Sequence, residues 1–301
     1  MALNDAVAWR TELGGGTRVA LVQAGTFRSD AGTLFGPVPR VLWGGLVTDE
    51  IDHEHRLLQA LNCLLIETPA GRVLVETGIG ERVDDKTRAM RVYEGMPVVP
   101  ALEAAGFSPD TIDVVALSHL HFDHAGGLLR TDGTRAFPRA TIVAQKAEWE
   151  VALGDNPRLV ASYVQPELQL VHDWGAEGWA EGEREILPGV TVVPTGGHST
   201  GHQAVIVRGT GEGSGPWRSS ATCSCGPGAP IRAGSRRSTT SRSIRCCARS
   251  SCSRRPRTSD GSSSCRTNRS GRWATWCAIA TGSGSSPSDP DPTARPFRAR
   301  R

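Results

Sequence analysis

The sequence predicts an α/β protein on the strength of three observations. Short apolar runs with the length and β-branched content of buried strands alternate with helical segments along residues 1–216. Two of these runs end in turns that carry glycine and histidine, so polar side chains gather where strands give way to loops. The apolar runs are numerous enough for two sheets. Strands and helices that alternate in this way form layered α/β domains.

Each element is predicted from its local pattern. The tripeptide Pro69-Ala70-Gly71 separates two apolar runs and predicts a β-hairpin, and Gly106 ends a helical segment. The predicted elements, in chain order, are a strand at 18–22, hairpin strands at 61–67 and 72–76, a helix at 98–107, strands at 112–117 and 142–144, a helix at 146–153, and strands at 190–194 and 203–207.

A long loop rich in glycine, proline and aromatic residues is expected after the first strand. Phe27, Phe35 and Trp43 are placed in it, and these rings either cap the core or wall a substrate pocket. His53 and His55 follow beside an acidic stretch, and we expect both to be solvated rather than metal-binding.

The strongest chemical signal is the run Ser-His-Leu-His-Phe-Asp-His-Ala-Gly-Gly at residues 118–127. In extended backbone His119 and His121 point to one side, because side chains alternate along a strand. Asp123 and His124 follow on the turn. Imidazole nitrogens and carboxylate oxygens are the usual ligands of catalytic zinc, so this run predicts a metal site. The alternative is a series of solvated loop histidines.

A second, distant motif supplies a partner for the first. Residues 195–202 read Thr-Gly-Gly-His-Ser-Thr-Gly-His after another short apolar run. We predict His198 as the third ligand beside His119 and His121. His202, one helical turn later, is expected to be structural, and His172 to lie on the surface.

Together the two motifs resemble the metallo-β-lactamase superfamily, and within it the hydrolases similar to acyl-homoserine lactonases and methyl-parathion-hydrolase-like proteins. The resemblance covers residues 17–208. It implies the fold class α/β, as a metallo-β-lactamase-like αββα sandwich with the metal site on one edge between the sheets. The C-terminal half of that sandwich is expected to be incomplete in this chain.

The resemblance also implies a dinuclear zinc site, in which His119, His121 and His198 bind the first metal and Asp123 with His124 the second. Asp123 has a further expected role, to orient the attacking water or to protonate the leaving group. In the family a carboxylate in an Asp-Thr-Gly turn supports the metal histidines. The corresponding turn here begins with Glu76, which is one methylene longer.

The activity implied is hydrolysis by a metal-activated hydroxide, with an ester or lactone first and a phosphotriester or thioester second. The family's bridging Asp and last His would fall at positions 222 and 267, where this chain has Thr. The alternative is therefore an inactive remnant that binds at most one metal tightly.

Composition divides the chain into two unlike pieces. Residues 1–216 hold 17 Lys and Arg against 28 Asp and Glu, whereas residues 217–301 hold 17 Arg, no Lys and three Asp. The second piece also has 19 Ser, seven of the eight Cys and no Leu or Val. A segment without Leu or Val cannot build a core. We expect a globular domain at 1–216 and a disordered, low-complexity tail at 217–301.

The tail has the composition of a GC-rich gene translated in the wrong frame. Suppose that the original reading frame starts one nucleotide earlier. Each original codon then consists of the preceding base and the first two bases of the codon translated here. In that frame the Ser and Cys codons encode apolar residues, and the Thr codons encode Asp, Asn, His or Tyr. Residues 217–224 then give a strand whose end can be Gly-Asp, and residues 262–267 a strand followed by a choice that includes His. We expect a frame change between Gly209 and Pro216. The rival interpretation is a genuine basic arm that binds nucleic acid.

The remaining expectations concern location and partners. No apolar run approaches a membrane span, and the first residues lack a signal-peptide pattern, so we expect a cytoplasmic protein without membrane association. A single cysteine in residues 1–216, Cys63, suits a reducing compartment. The acidic charge of these residues disfavours nucleic acid as substrate, so a small molecule is the expected partner.

Overall fold

The computed structural model describes residues 7–48, 50–175, 178–208, 216–221, 273–274 and 276–279. The strands in these ranges are β1 Val7–Gly14, β2 Thr17–Asp30, β3 Arg56–Thr68, β4 Gly71–Val75, β5 Val114–Ala116, β6 Thr141–Val143, β7 Arg184–Leu187, β8 Val190–Pro194, β9 Gln203–Arg208, β10 Pro216–Ala221, β11 Trp273–Ala274 and β12 Trp276–Ile279. The helices are α1 Ala31–Phe35, α2 Arg40–Trp43, α3 Asp85–Arg91, α4 Val98–Ala104, α5 Phe122–Ala125, α6 Lys146–Ala152 and α7 Gln165–Asp173.

The strands form two sheets. The larger has the order β1-β2-β3-β4-β5-β6, with β11 beside β3, and the smaller has the order β12-β10-β9-β8-β7. In the larger sheet β1 to β4 are antiparallel, whereas β4, β5 and β6 run parallel. The smaller sheet is antiparallel throughout its described strands. Parallel strands end at the same sheet edge, so the loops that leave β4, β5 and β6 lie side by side.

Alternate residues of the central strands face different layers. Leu64 and Ile66 of β3 pack in one cluster with Val192 and Val205 of the smaller sheet. Their neighbours on β3 point the other way, into a larger cluster that holds buried residues of α4, α6 and α7. Burial on both faces requires nearly continuous apolar strands, which is the pattern that the sequence has here. The described residues therefore form a helix layer, a large sheet and a small sheet, and the prediction of an α/β fold is confirmed.

The predicted hairpin is present as β3 and β4, and most other predicted elements lie within two or three residues of their expected bounds. One expectation about the aromatic loop is wrong. The strand expected at 18–22 continues as β2 to Asp30, so Phe27 lies in a strand and is buried in the main core. Phe35 and Trp43 stack with ring centroids 4.4 Å apart in a separate small cluster. All three aromatic rings therefore pack in hydrophobic clusters.

The strands beyond residue 215 extend both sheets. The expected boundary at 216 falls at the start of β10, which pairs with β9 in antiparallel register from Pro216↔Arg208 to Ser219↔Val205. Positions 222 and 267, at which the resemblance places two further ligands, lie outside the described residues. None of the helices in the described part of the chain is long and apolar enough to cross a membrane.

Candidate metal centre

The two histidine motifs meet at the edge where β5 and β8 end and β9 begins. Gln203, the first residue of β9, joins the two sheets at this edge. Its main-chain N–H donates to the Ser118 carbonyl (2.9 Å), and its Nε2 donates to the Leu117 carbonyl (2.8 Å). Its Oε1 accepts from Nε2 of Gln145 (2.8 Å). The loop after β5 and the loop before β9 are therefore held together by hydrogen bonds, independently of any ligand.

Three histidines converge at this edge. Each of His119, His121 and His198 places a ring nitrogen so that the three atoms lie within 4.8 Å of one another. Nε2 of His198 lies 3.1 Å from Nδ1 of His121. His119 is fully buried, His121 is half-buried and His198 is exposed. The cluster is thus anchored on one side and open to solvent on the other.

The chemistry of this cluster suits a divalent cation. Nδ1 of His119 forms a hydrogen bond with the Ser118 hydroxyl (2.8 Å), whereas Nε2 of His119 is buried without a hydrogen-bond partner. Burial and the neighbouring imidazoles lower the pKa of His119, and burial lowers the pKa of His121 and of His198 to about 4. All three rings are therefore neutral near pH 7 and can offer lone pairs. Imidazoles in this form are common zinc ligands.

An acidic and a basic side chain, Asp123 and His124, lie beside the cluster. Nε2 of His124 is 3.3 Å from Oδ2 of Asp123, and the His124 ring centroid is 4.1 Å from that of His119. Burial alone would lower the pKa of His124, but the carboxylates of Asp123 and Glu76 outweigh it and raise the pKa to about 10. Burial would raise the pKa of Asp123, but His124 lowers it to about 2. Without a metal, His124 and Asp123 therefore form an ion pair.

Glu76 connects this pair to the start of the motif. Its Oε1 accepts the main-chain N–H of Ser118 (2.8 Å), and its Oε2 lies 3.1 Å from Nδ1 of His124. The next residue, Thr77, donates its hydroxyl and its main-chain N–H to the His124 carbonyl (2.8 Å each). The longer Glu side chain thus reaches the histidine motif, at the place where the resemblance implies a supporting carboxylate.

The short helix α5, which carries Asp123 and His124, packs tightly against the loop that follows β4. A Cβ atom at Gly126 would lie 2.2 Å from the Ile79 carbonyl oxygen, and one at Gly80 would lie 2.2 Å from the Gly126 carbonyl oxygen. Only glycine allows the two backbones to approach so closely. The Gly-Gly that ends the motif is therefore required by packing.

The structure also places a buried glutamate at the site that the sequence did not single out. Glu148 of α6 is fully buried, and it accepts hydrogen bonds from Leu120, Tyr163, Ser199 and Gly201. The helix α6 was predicted, but one glutamate within a helix carries no local signal of a contact with distant loops. Its contacts arise only when the chain folds.

Four further histidines lie outside the triad and the Asp123–His124 pair. His202 lies near the cluster, with its ring centroid 5.5 Å from that of His119, and its Nδ1 is hydrogen-bonded to the Thr195 hydroxyl. His53 and His55 are exposed in the turn before β3. His172, which was expected on the surface, lies on α7 and is half-buried. Its ring centroid is 6.1 Å from that of Trp149 and 5.7 Å from that of Trp179.

Comparison with known proteins finds relatives of this chain. Residues 58–214, more than half of the chain, match the family model described as the metallo-beta-lactamase superfamily. The chain is 31% identical over 163 residues to the N-acyl homoserine lactonase AiiA of Bacillus thuringiensis subsp. kurstaki. The matched segment covers 50% of this chain and 60% of that protein. The chain therefore matches less than two thirds of the length of this relative.

Solved structures share the fold. A probable metal-dependent hydrolase from Staphylococcus aureus superposes with a TM-score of 0.60 at 24% identity, over 66% of this chain and 71% of that one. A dizinc quorum-quenching lactonase, AidC, superposes with a TM-score of 0.55 at 22% identity, over 69% of this chain and 72% of that one. At these identities the likeness concerns the fold.

Proposed function

The chain belongs to the metallo-beta-lactamase superfamily, and from this membership we propose that it is a metal-dependent hydrolase whose metal centre is built on His119, His121 and His198. The observation that carries the proposal is the convergence of three imidazole nitrogens within 4.8 Å. The buried Nε2 of His119, which has no hydrogen-bond partner, supports it further. A buried polar atom without a partner costs stability unless a ligand satisfies it.

We assign the residues of the site to two metal ions. His119, His121 and His198 would hold a first zinc ion, and Asp123 with His124 would contribute to a second. Bound zinc supplies Lewis acidity and a water of lowered pKa. Asp123, whose pKa is lowered to about 2 by His124 against the opposing effect of burial, is an acceptor that would orient the attacking water. Alternatively, the carboxylate would take up a proton from that water and then donate it to the leaving group.

We propose an ester or lactone as the substrate class, and a small molecule as the partner. The support is the 31% identity to a protein named N-acyl homoserine lactonase. A phosphotriester or thioester remains the second class, because three histidines do not distinguish acyl from phosphoryl groups. The zinc identity of the metal is part of the proposal, supported by the imidazole donors.

A specific observation favours a second candidate, an inactive remnant. The family's bridging Asp and last His fall at positions 222 and 267, where the sequence has Thr. Threonine is a poor replacement for either ligand. The second metal site would then hold only Asp123 and His124.

A substrate panel distinguishes the two candidates. The zinc-loaded chain is assayed against lactones, aryl esters and phosphotriesters, together with the variants His119→Ala and His53→Ala. We expect slow hydrolysis of a lactone or aryl ester that falls to the uncatalysed background in His119→Ala, because that variant removes the buried ligand. His53 is exposed and distant in sequence from both motifs, so His53→Ala should retain the activity.

Two results would speak against hydrolysis at this site. If the unmodified chain hydrolyses none of these compounds, the inactive remnant is the better account. If His119→Ala hydrolyses them as fast as the unmodified chain, the activity arises elsewhere.

A further inference from the structure

Glu148 is a buried carboxylate that lies outside the proposed set of metal ligands. Four donors from three separate segments converge on its two oxygens. Oε1 accepts from the main-chain N–H of Leu120 (3.1 Å) and from the Tyr163 hydroxyl (3.0 Å). Oε2 accepts from the Ser199 hydroxyl (2.7 Å) and from the main-chain N–H of Gly201 (3.1 Å).

Three of these donors, Leu120, Ser199 and Gly201, belong to the two loops that carry the histidine triad. Leu120 lies between His119 and His121, and Ser199 directly follows His198. One carboxylate oxygen thus binds the loop after β5, and the other binds the loop before β9. Glu148 thus joins the same two loops that a metal ion held by all three histidines would join.

We propose that Glu148 is a positioning residue that sets the spacing between these two loops and thereby raises the affinity of the histidine triad for zinc. The inference rests on the proposed function, since it assumes that the triad binds a metal. Glu148 acts through the loops and does not touch the metal.

The local packing explains why this position holds a carboxylate. Four donors require four lone pairs, and an ionised carboxylate offers acceptors only. Glutamine would direct an amide NH₂ against one pair of donors. The loop after His198 also lies directly on α6, because a Cβ atom at Gly201 would lie 2.3 Å from the Glu148 main-chain nitrogen. The Tyr163 ring, in turn, packs against the His121 ring with centroids 4.7 Å apart.

Zinc affinity of the full chain, measured by competition with a chromophoric chelator, tests this role. Glu148→Gln should weaken zinc binding by about 10-fold to 100-fold, the range typical of residues that orient metal ligands. Ser199→Ala removes one donor and should weaken it by about 3-fold to 10-fold. Glu150→Gln is the matched control, because Glu150 lies on the same helix and is exposed; its affinity should equal that of the unmodified chain.

The double variant separates positioning from a general loss of stability. If Ser199 acts through Glu148, the Ser199→Ala change should have little further effect on zinc affinity once Glu148→Gln is present. A full additional loss in the double variant would overturn the proposal, and so would unchanged affinity in Glu148→Gln. If Glu148→Gln does not fold, unchanged affinity in both Ser199→Ala and Tyr163→Phe would overturn it instead. Absence of zinc binding in the unmodified chain would refute the proposed function itself.

Discussion

Glu76 combines an unusual backbone with two polar contacts. Its φ angle is 67°, in the left-handed region that residues other than glycine seldom adopt. Both carboxylate oxygens are used, one by the Ser118 N–H and one by the His124 ring. Such strain persists where the surroundings determine the conformation, which here are the contacts that hold the histidine motif.

Glu76→Gln should therefore destabilise the metal-free chain. The carboxylates of Asp123 and Glu76 both compensate the charge of buried His124. Without the Glu76 charge only Asp123 remains, so we expect the free energy of unfolding to fall by about 2 kcal/mol. Denaturant unfolding measures this. The control is Glu67→Gln, which breaks a partly exposed pair with Arg72 (3.1 Å) on the same hairpin and should cost less than about 1 kcal/mol. Equal effects in the two variants would contradict the account.

Among single residues, the sequence predicted the ligand candidates and, through the family resemblance, the supporting position of Glu76, but not Glu148 or Tyr163. His119, His121 and His198 are recognisable because three polar rings in two turns have few explanations in packing. Glu148 and Tyr163 come from a helix and a loop that carry no such pattern, and their contacts span 15 to 53 residues along the chain. Only the folded chain brings them to the histidines.

Two of the elements that the sequence missed, α3 and β7, have weak periodicity. The helix α3 has no buried residue, so no apolar stripe marks it. The strand β7 is short and lies at the edge of its sheet, where its residues are exposed or half-buried. By contrast β4 and β9, which are largely buried, have bounds within one residue of those predicted. The strand predicted at 61–67 is also present as β3, but it begins earlier, at Arg56.

The contact between α5 and the loop after β4 gives a test at the level of elements. Gly126→Ala places a Cβ atom 2.2 Å from the Ile79 carbonyl oxygen, so the two backbones must separate. We expect a loss of about 3 kcal/mol in the free energy of unfolding, measured in denaturant. Gly45→Ala is the control, because a Cβ atom there meets nothing within 4 Å. Its effect should stay within about 0.5 kcal/mol. A tolerated Gly126→Ala would show that the backbone contact is less close than described.

The sequence as a whole joins an acidic part, residues 1–216, to a basic part, residues 217–301. We propose that residues 1–216 form the domain and that the sequence beyond it reflects a changed reading frame. The antiparallel β10 supports this, because its direction takes the chain back toward the edge where β9 begins, beside His202. A strand that ends in Gly-Asp would bring a carboxylate to that edge.

Sequencing of the source DNA across codons 205 to 225 checks this proposal. We expect one extra or one missing base, whose correction restores apolar residues and Gly-Asp after residue 216. An uninterrupted reading in the printed frame would contradict it. Nucleic-acid binding that disappears on truncation after Pro216 would then favour the basic arm.

The central claim is that His119, His121 and His198 form a zinc site. The most direct test is the zinc content of the purified chain by elemental analysis, compared between the unmodified chain and His198→Ala. We expect one tightly bound zinc per unmodified chain, because Thr at 222 and 267 leaves the second site incomplete. We expect that zinc to be lost in His198→Ala. No zinc in the unmodified chain, or one zinc retained in both, would contradict it.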